Sequence, residues 1–176
     1  MRLLLAFVLL ALAAAPRAQD LNPALAPLAG LIGQWEGEAR AQTQTGPKVM
    51  IQTEDVRAEL GGQIILVEGM GREMGEDGEV VFNAFGVFSV DAQTGEVWFD
   101  AFTHEGRHTR VQPTFTEDGF EWGLEPEMGP KIHYTMRFDE QGRWVETGRV
   151  SMDGGENWLD FFEMTLSRVD SQAGGH

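Results

Sequence analysis

The sequence predicts an all-β fold, an antiparallel up-and-down barrel of about ten strands with a short N-terminal helical turn closing one end. Turn-forming pairs such as Gly46-Pro47, Gly61-Gly62, Asp77-Gly78, Thr94-Gly95, Asp118-Gly119, Gly129-Pro130 and Gln141-Gly142 recur about every dozen residues. Between them, apolar and polar residues alternate with the period of two that a half-buried strand requires. No segment after Gln34 has the spacing of an amphipathic helix.

The first nineteen residues stand apart. Arg2 precedes an unbroken apolar run from Leu3 to Ala15, and Pro16-Arg17-Ala18-Gln19 follows. That order of cation, apolar run and small residues is a secretory signal, so residues 1–19 are expected to be removed and the protein to be periplasmic or extracellular. The run is shorter than the roughly 20 residues a membrane-spanning helix needs, and no cysteine is present to carry a lipid, so no membrane anchor is expected. Residues 20–170 form the expected barrel domain and residues 171–176 a disordered tail.

Leu25, Leu28 and Leu31 recur every third residue while Pro23 and Pro27 limit any helix, the pattern of a short helical or 3₁₀ turn with one apolar face. Strands are then expected over 34–44, 48–60, 63–73, 80–90, 96–104, 107–116, 119–125, 131–138, 143–151 and 157–168. Phe120, Trp122 and Leu124 share one face of their strand, and Ile132, Tyr134, Met136 and Phe138 one face of theirs. The strand from Val80 to Val90 is apolar on both faces.

With 28 acidic against 13 basic residues the net charge is -15, moving to -17 when Arg2 and Arg17 leave with the signal. Such a surface repels phosphate backbones, so no nucleic-acid partner is expected. The chain contains no phosphate-binding loop, no nucleophile-elbow motif and no His/Cys ligand spacing, so neither a cofactor nor a metal is expected.

Two motifs are specific. Gly33-Gln34-Trp35-Glu36-Gly37 stands where the helical turn meets the first strand, and Arg168 ends the last strand. Ser151-Met152-Asp153-Gly154-Gly155-Glu156-Asn157-Trp158 fits the Asp-box pattern, in which Ser and Asp oxygens tie down a turn and the tryptophan packs over it. Gly33, Trp35, Gly37, Ser151, Asp153, Gly155, Trp158 and Arg168 are therefore read as structural.

The first motif resembles the G-x-W signature of lipocalin-like (calycin) barrels, which implies that Trp35 plugs one end and that Arg168 packs across it. The stretches Leu28 to Gly37, Glu54-Asp55-Val56-Arg57 with Leu60-Gly61-Gly62, and Trp144-Val145-Glu146 through Phe161-Phe162-Glu163-Met164 resemble a bacterial family of exported lipocalin-like domains without an assigned activity. The chain is also distantly similar to nitrobindin-type haem barrels. In those a late histidine holds the iron, whereas the segment from Trp144 to Arg168 contains none, so haem is not expected.

The fold resemblance implies a binding module with a small apolar molecule in the barrel, lined by Phe85, Phe102, Trp122, Tyr134 and Met136. Asp100 interrupts an apolar strand in phase with Phe102 and His104, and Arg110 or Arg137 on a neighbouring strand is its expected partner. Two alternatives remain open from the residues: an enzyme using Asp100, His104 and Arg110 for acid–base chemistry, and a fully packed structural or interaction barrel.

Overall fold

The computed structural model describes residues 21–43, 46–75 and 77–169; the expected signal segment and the C-terminal tail lie outside them. Asn22 caps a 3₁₀ helix, Pro23–Leu31, by accepting the Ala24 N–H at 3.1 Å. The three-residue leucine period matches the three-residue turn, so Leu25, Leu28 and Leu31 form one row that is fully buried.

Eleven strands follow among the described residues: β1 (Gly33–Thr43), β2 (Gly46–Glu59), β3 (Ile64–Glu73), β4 (Val80–Val90), β5 (Val97–Thr103), β6 (His108–Val111), β7 (Thr114–Phe115), β8 (Gly119–Leu124), β9 (Lys131–Phe138), β10 (Trp144–Ser151) and β11 (Leu159–Arg168). All neighbours are antiparallel, in the order β6-β5-β4-β3-β2-β1-β11-β10-β9-β8-β7. Every ladder joins strands adjacent in the chain except the one between β1 and β11, which brings Trp35 opposite Arg168.

Two expectations are corrected. The single strand expected over 107–116 is two, because Pro113 has no N–H to give a ladder and sits in the break between β6 and β7. The sheet is a strongly curled half-barrel and not a closed barrel, since β6 and β7 are its two edges and share no ladder. Strands of four and two residues are too short to lace that seam. Aromatic rings bridge it instead: Phe99 of β5 lies 6.5 Å from Phe120 and 5.2 Å from Trp122 of β8, and Phe88 of β4 lies 5.3 Å from Phe120.

One end is plugged. Trp35 is buried, donates its indole N–H to the Leu31 carbonyl at 2.7 Å, stacks on Phe138 at 5.7 Å and meets Trp144 edge-on at 5.9 Å. The Arg168 guanidinium lies 4.2 Å over the Trp35 ring and donates to the carbonyls of Gly30 and Ile32, each at 2.6 Å. It thereby satisfies the last carbonyls of the helix while stacking on the plug. Gly33, at φ +138°, has no side chain because a Cβ there would strike the same guanidinium.

At the other end the β10–β11 turn is held by its own side chains. Ser151 Oγ donates to Asp153 Oδ1 at 2.7 Å and accepts the Gly155 N–H at 2.8 Å. Asn157 donates its backbone N–H to Asp153 Oδ1 at 2.9 Å and its side-chain amide to Oδ2 at 2.6 Å, and Trp158 Nε1 donates to the Gly155 carbonyl at 3.1 Å. These donors, the backbone N–H of Asn157 foremost, hold the Asp153 carboxyl well below the usual carboxylate range. Ser151 is fully buried, so Ser151→Ala is expected to cost about 1–2 kcal/mol by orphaning the Gly155 N–H. Urea titration of the two proteins measures it.

Candidate functional site

Alternation fixes which side chains face the concave interior. In β1 and β2, Trp35 and Ala39 alternate in phase with Met50, Gln52, Glu54 and Val56, all buried. In β10 the interior phase is Trp144, Glu146 and Gly148, and in β9 it is Tyr134, Met136 and Phe138. Inner faces that carry Gln52 and Glu54 on β2 and Glu146 on β10 depart from an ordinary core.

The plugged end is dry: Leu25, Leu28, Trp35, Met136, Trp144 and Leu166 are all at most 4 % exposed. Toward the open rim, Glu146, Trp122, Tyr134 and Phe162 are only half-buried. Exposure of the inward side chains thus rises from the plugged base of the half-barrel toward its rim, and the concave face between them is called the cup.

Glu54 lies at the junction of these zones, opposite Trp35 on one side and Gly69 on the other. Its Oε1 accepts the Gln52 side-chain amide at 2.8 Å. Gly69 lets the carboxylate lie flat against β3, since a Cβ there would stand 2.7 Å from Oε1. Glu146 accepts the Trp144 indole N–H on Oε2 at 3.2 Å. No Lys, Arg or His among the described residues forms an ion pair with either. Burial, unrelieved by any cation, pushes Glu54 up to about 8, with the charge of Glu146 adding to it. Burial likewise raises Glu146 to about 7.

The wall beside Glu146 is aromatic. Tyr134 stacks on Trp122 with centroids 4.3 Å apart and rings 11° from parallel, and Phe161 and Phe162 approach it at 5.6 and 6.2 Å. Gly148 leaves room for the Tyr134 ring, which would stand 2.8 Å from a Cβ there. Burial, and then the Glu146 charge, raises the Tyr134 hydroxyl above its ordinary value. On the far wall the inward row Glu54–Gly69–Ala84–Thr103 crosses β2 to β5, and Thr103 Oγ1 is buried with no hydrogen-bond partner.

The sequence-derived lining divides in two. Trp122, Tyr134 and Met136 face the interior, with Met136 buried beside the plug. Phe85, Asp100, Phe102 and Arg110 face outward, a correction to their expected place in the wall, because Phe88 and Phe99 take the inner phase of β4 and β5 and stack there at 4.4 Å. Outside, Asp100 binds His108 Nε2 at 2.9 Å and Arg110 at 3.5 Å, Phe102 stacks on His108 at 4.5 Å, and Arg110 lies 4.9 Å over Trp98. His104 does not join Asp100. It sits in the β5–β6 turn with its ring edge-on to Phe82 at 6.1 Å and Nδ1 3.3 Å from the Asn83 backbone. The expected acid–base trio is therefore not assembled.

Neither a protein-family model nor a curated protein sequence matches the chain. Among solved structures, the crystal structure of Rv2717c from M. tuberculosis superposes with a TM-score of 0.62 at 18% sequence identity, covering 85% of this chain and 99% of that one. The two share an antiparallel half-barrel fold. At this identity the likeness speaks for the backbone architecture alone.

Proposed function

We propose that this protein is a small-molecule binding module that holds a largely apolar compound in the cup of the half-barrel, in a periplasmic or extracellular setting. The observation that carries the reading is the gradient along the interior, from a dry aromatic and leucine plug to a half-buried zone of Trp122, Tyr134, Phe162 and Glu146. A packed structural barrel has no use for two inward carboxylates without a cation, because each costs stability that apolar residues would supply. Pockets that bind small molecules combine apolar walls with a few such polar groups. Gly69 and Gly148 keep Glu54 and Tyr134 flat against the wall, off the axis of the cup.

The test is binding of the neutral fluorescent probe N-phenyl-1-naphthylamine, alongside native mass spectrometry of protein purified without denaturant. Saturable binding is expected, and Ala84→Phe, which projects a ring inward between Gly69 and Thr103, should weaken it by about tenfold or more while the variant still melts cooperatively. Absence of probe binding by the wild type, or equal binding by the variant, would overturn the reading.

A further inference from the structure

We infer that the compound held in the cup is a cationic amphiphile, a primary or secondary ammonium on an alkyl or aromatic body, with its ammonium seated at Glu54 and Glu146. The inference rests on the binding reading above and adds the headgroup. Glu54 and Glu146 face one interior, are each supported by a single neutral donor, Gln52 or Trp144, and lack any basic partner among the described residues. Each carboxylate has further lone pairs to offer, and an ammonium brings only donors.

Two independent features of the same interior agree. The Trp122–Tyr134 stack and Phe162 place aromatic faces on the wall beside Glu146, and ring faces attract a desolvated cation. Across the cup, Thr103 Oγ1 is a buried polar atom without a partner, on the inward row that begins at Glu54 and is separated from it only by Gly69 and Ala84. A polar group on a molecule filling that space would satisfy this hydroxyl.

The alternatives fit less well. An anionic headgroup would face two carboxylates. A neutral alcohol would do nothing to stabilise either carboxyl in its charged form, whereas an ammonium would. A metal ion would want a third ionic ligand, and no group of three His, Cys, Asp or Glu side chains suited to one occurs among the described residues.

The experiment is displacement of N-phenyl-1-naphthylamine by n-decylamine, n-decanol and n-decanoate at about pH 9, where both carboxyls are charged and the amine remains so. Decylamine is expected to displace the probe at a concentration about tenfold or more below decanol, with decanoate weakest. In the Glu54→Gln/Glu146→Gln variant the amine-to-alcohol ratio should fall to near one. Equal displacement by all three on a wild type that binds the probe overturns the headgroup inference and leaves the binding reading standing. An amine preference that survives in the variant also overturns it, because the attraction would then come from the acidic surface as a whole. Failure of the wild type to bind the probe fells both readings.

Discussion

Raising the pH from about 5 to about 8 is expected to destabilise the fold by roughly 3–6 kcal/mol, which is the reverse of the usual behaviour of an acidic protein leaving acid conditions. The source is the carboxylates inside the cup. Glu54 and Glu146 have folded-state values of about 8 and about 7 against an ordinary 4.5. In the unfolded chain both lose their protons near the ordinary value, while in the native state they keep them. Between those limits the native state binds more protons, so the free energy of unfolding falls as pH rises. The contribution is complete below about pH 4.5 and gone above about pH 8. Each tenfold gain in proton affinity on folding corresponds to about 1.4 kcal/mol, and the total for the two groups is reduced because water reaches Glu146. Asp91, Asp139 and Asp153, held below the usual range by local hydrogen bonds, work in the opposite sense and weaken the fold only as pH drops through the acidic range. Denaturant titrations at pH 5 and pH 8 test this directly. The Glu54→Gln/Glu146→Gln variant should be nearly level between them, and a wild type that is more stable at pH 8 would contradict the assignment.

Trp35→Ala should cost about 4 kcal/mol, the largest effect of any single substitution considered. The ring is 2 % exposed, and its removal opens the centre of the plug among Phe138, Trp144 and the leucine row. The Leu31 carbonyl loses its indole donor, and Arg168 keeps its two carbonyl contacts but loses the surface it lies on. Trp35→Phe should recover most of the packing and lose the hydrogen bond, ending about 1–2 kcal/mol below wild type. If alanine costs under about 1 kcal/mol in denaturant titration, the plug does not stabilise this end.

How much of this could be read from the chain varies with the kind of signal. Turn chemistry placed the strands, because Gly and Asp at loop positions meet backbone demands that are local. Closure was not legible: it depends on whether the two edge strands are long enough to pair, and only Pro113 between them hinted otherwise. Facing was legible where one phase is plainly apolar, as in Phe120-Trp122-Leu124. It was ambiguous in β4 and β5, where Phe85 and Phe88, or Phe99 and Phe102, are equally apolar and only tertiary packing selects Phe88 and Phe99 for the inside. Glu54 and Glu146 do not stand out by composition among 28 acidic residues. A signal did exist. Met50, Gln52, Glu54 and Val56 form one phase of β2, and Trp144, Glu146, Gly148 and Val150 one phase of β10, so each glutamate is a charged residue in a phase whose neighbours mark it as inward.

The pairing of β1 with β11 carries a consequence for how the chain acquires this shape. Every other ladder joins neighbours along the chain and can form as soon as a hairpin exists, whereas Trp35 meets Arg168 only after the whole intervening chain has been gathered in. That last ladder carries most of the entropic cost of loop closure and places folding among the slower, high-contact-order topologies. Until it forms, β1 presents an open hydrogen-bonding edge, and the helix carbonyls that Arg168 will satisfy remain open. The arginine at the end of the final strand therefore acts as a latch that engages at the close of folding, and the species exposed to aggregation or proteolysis is the one in which it has not yet engaged.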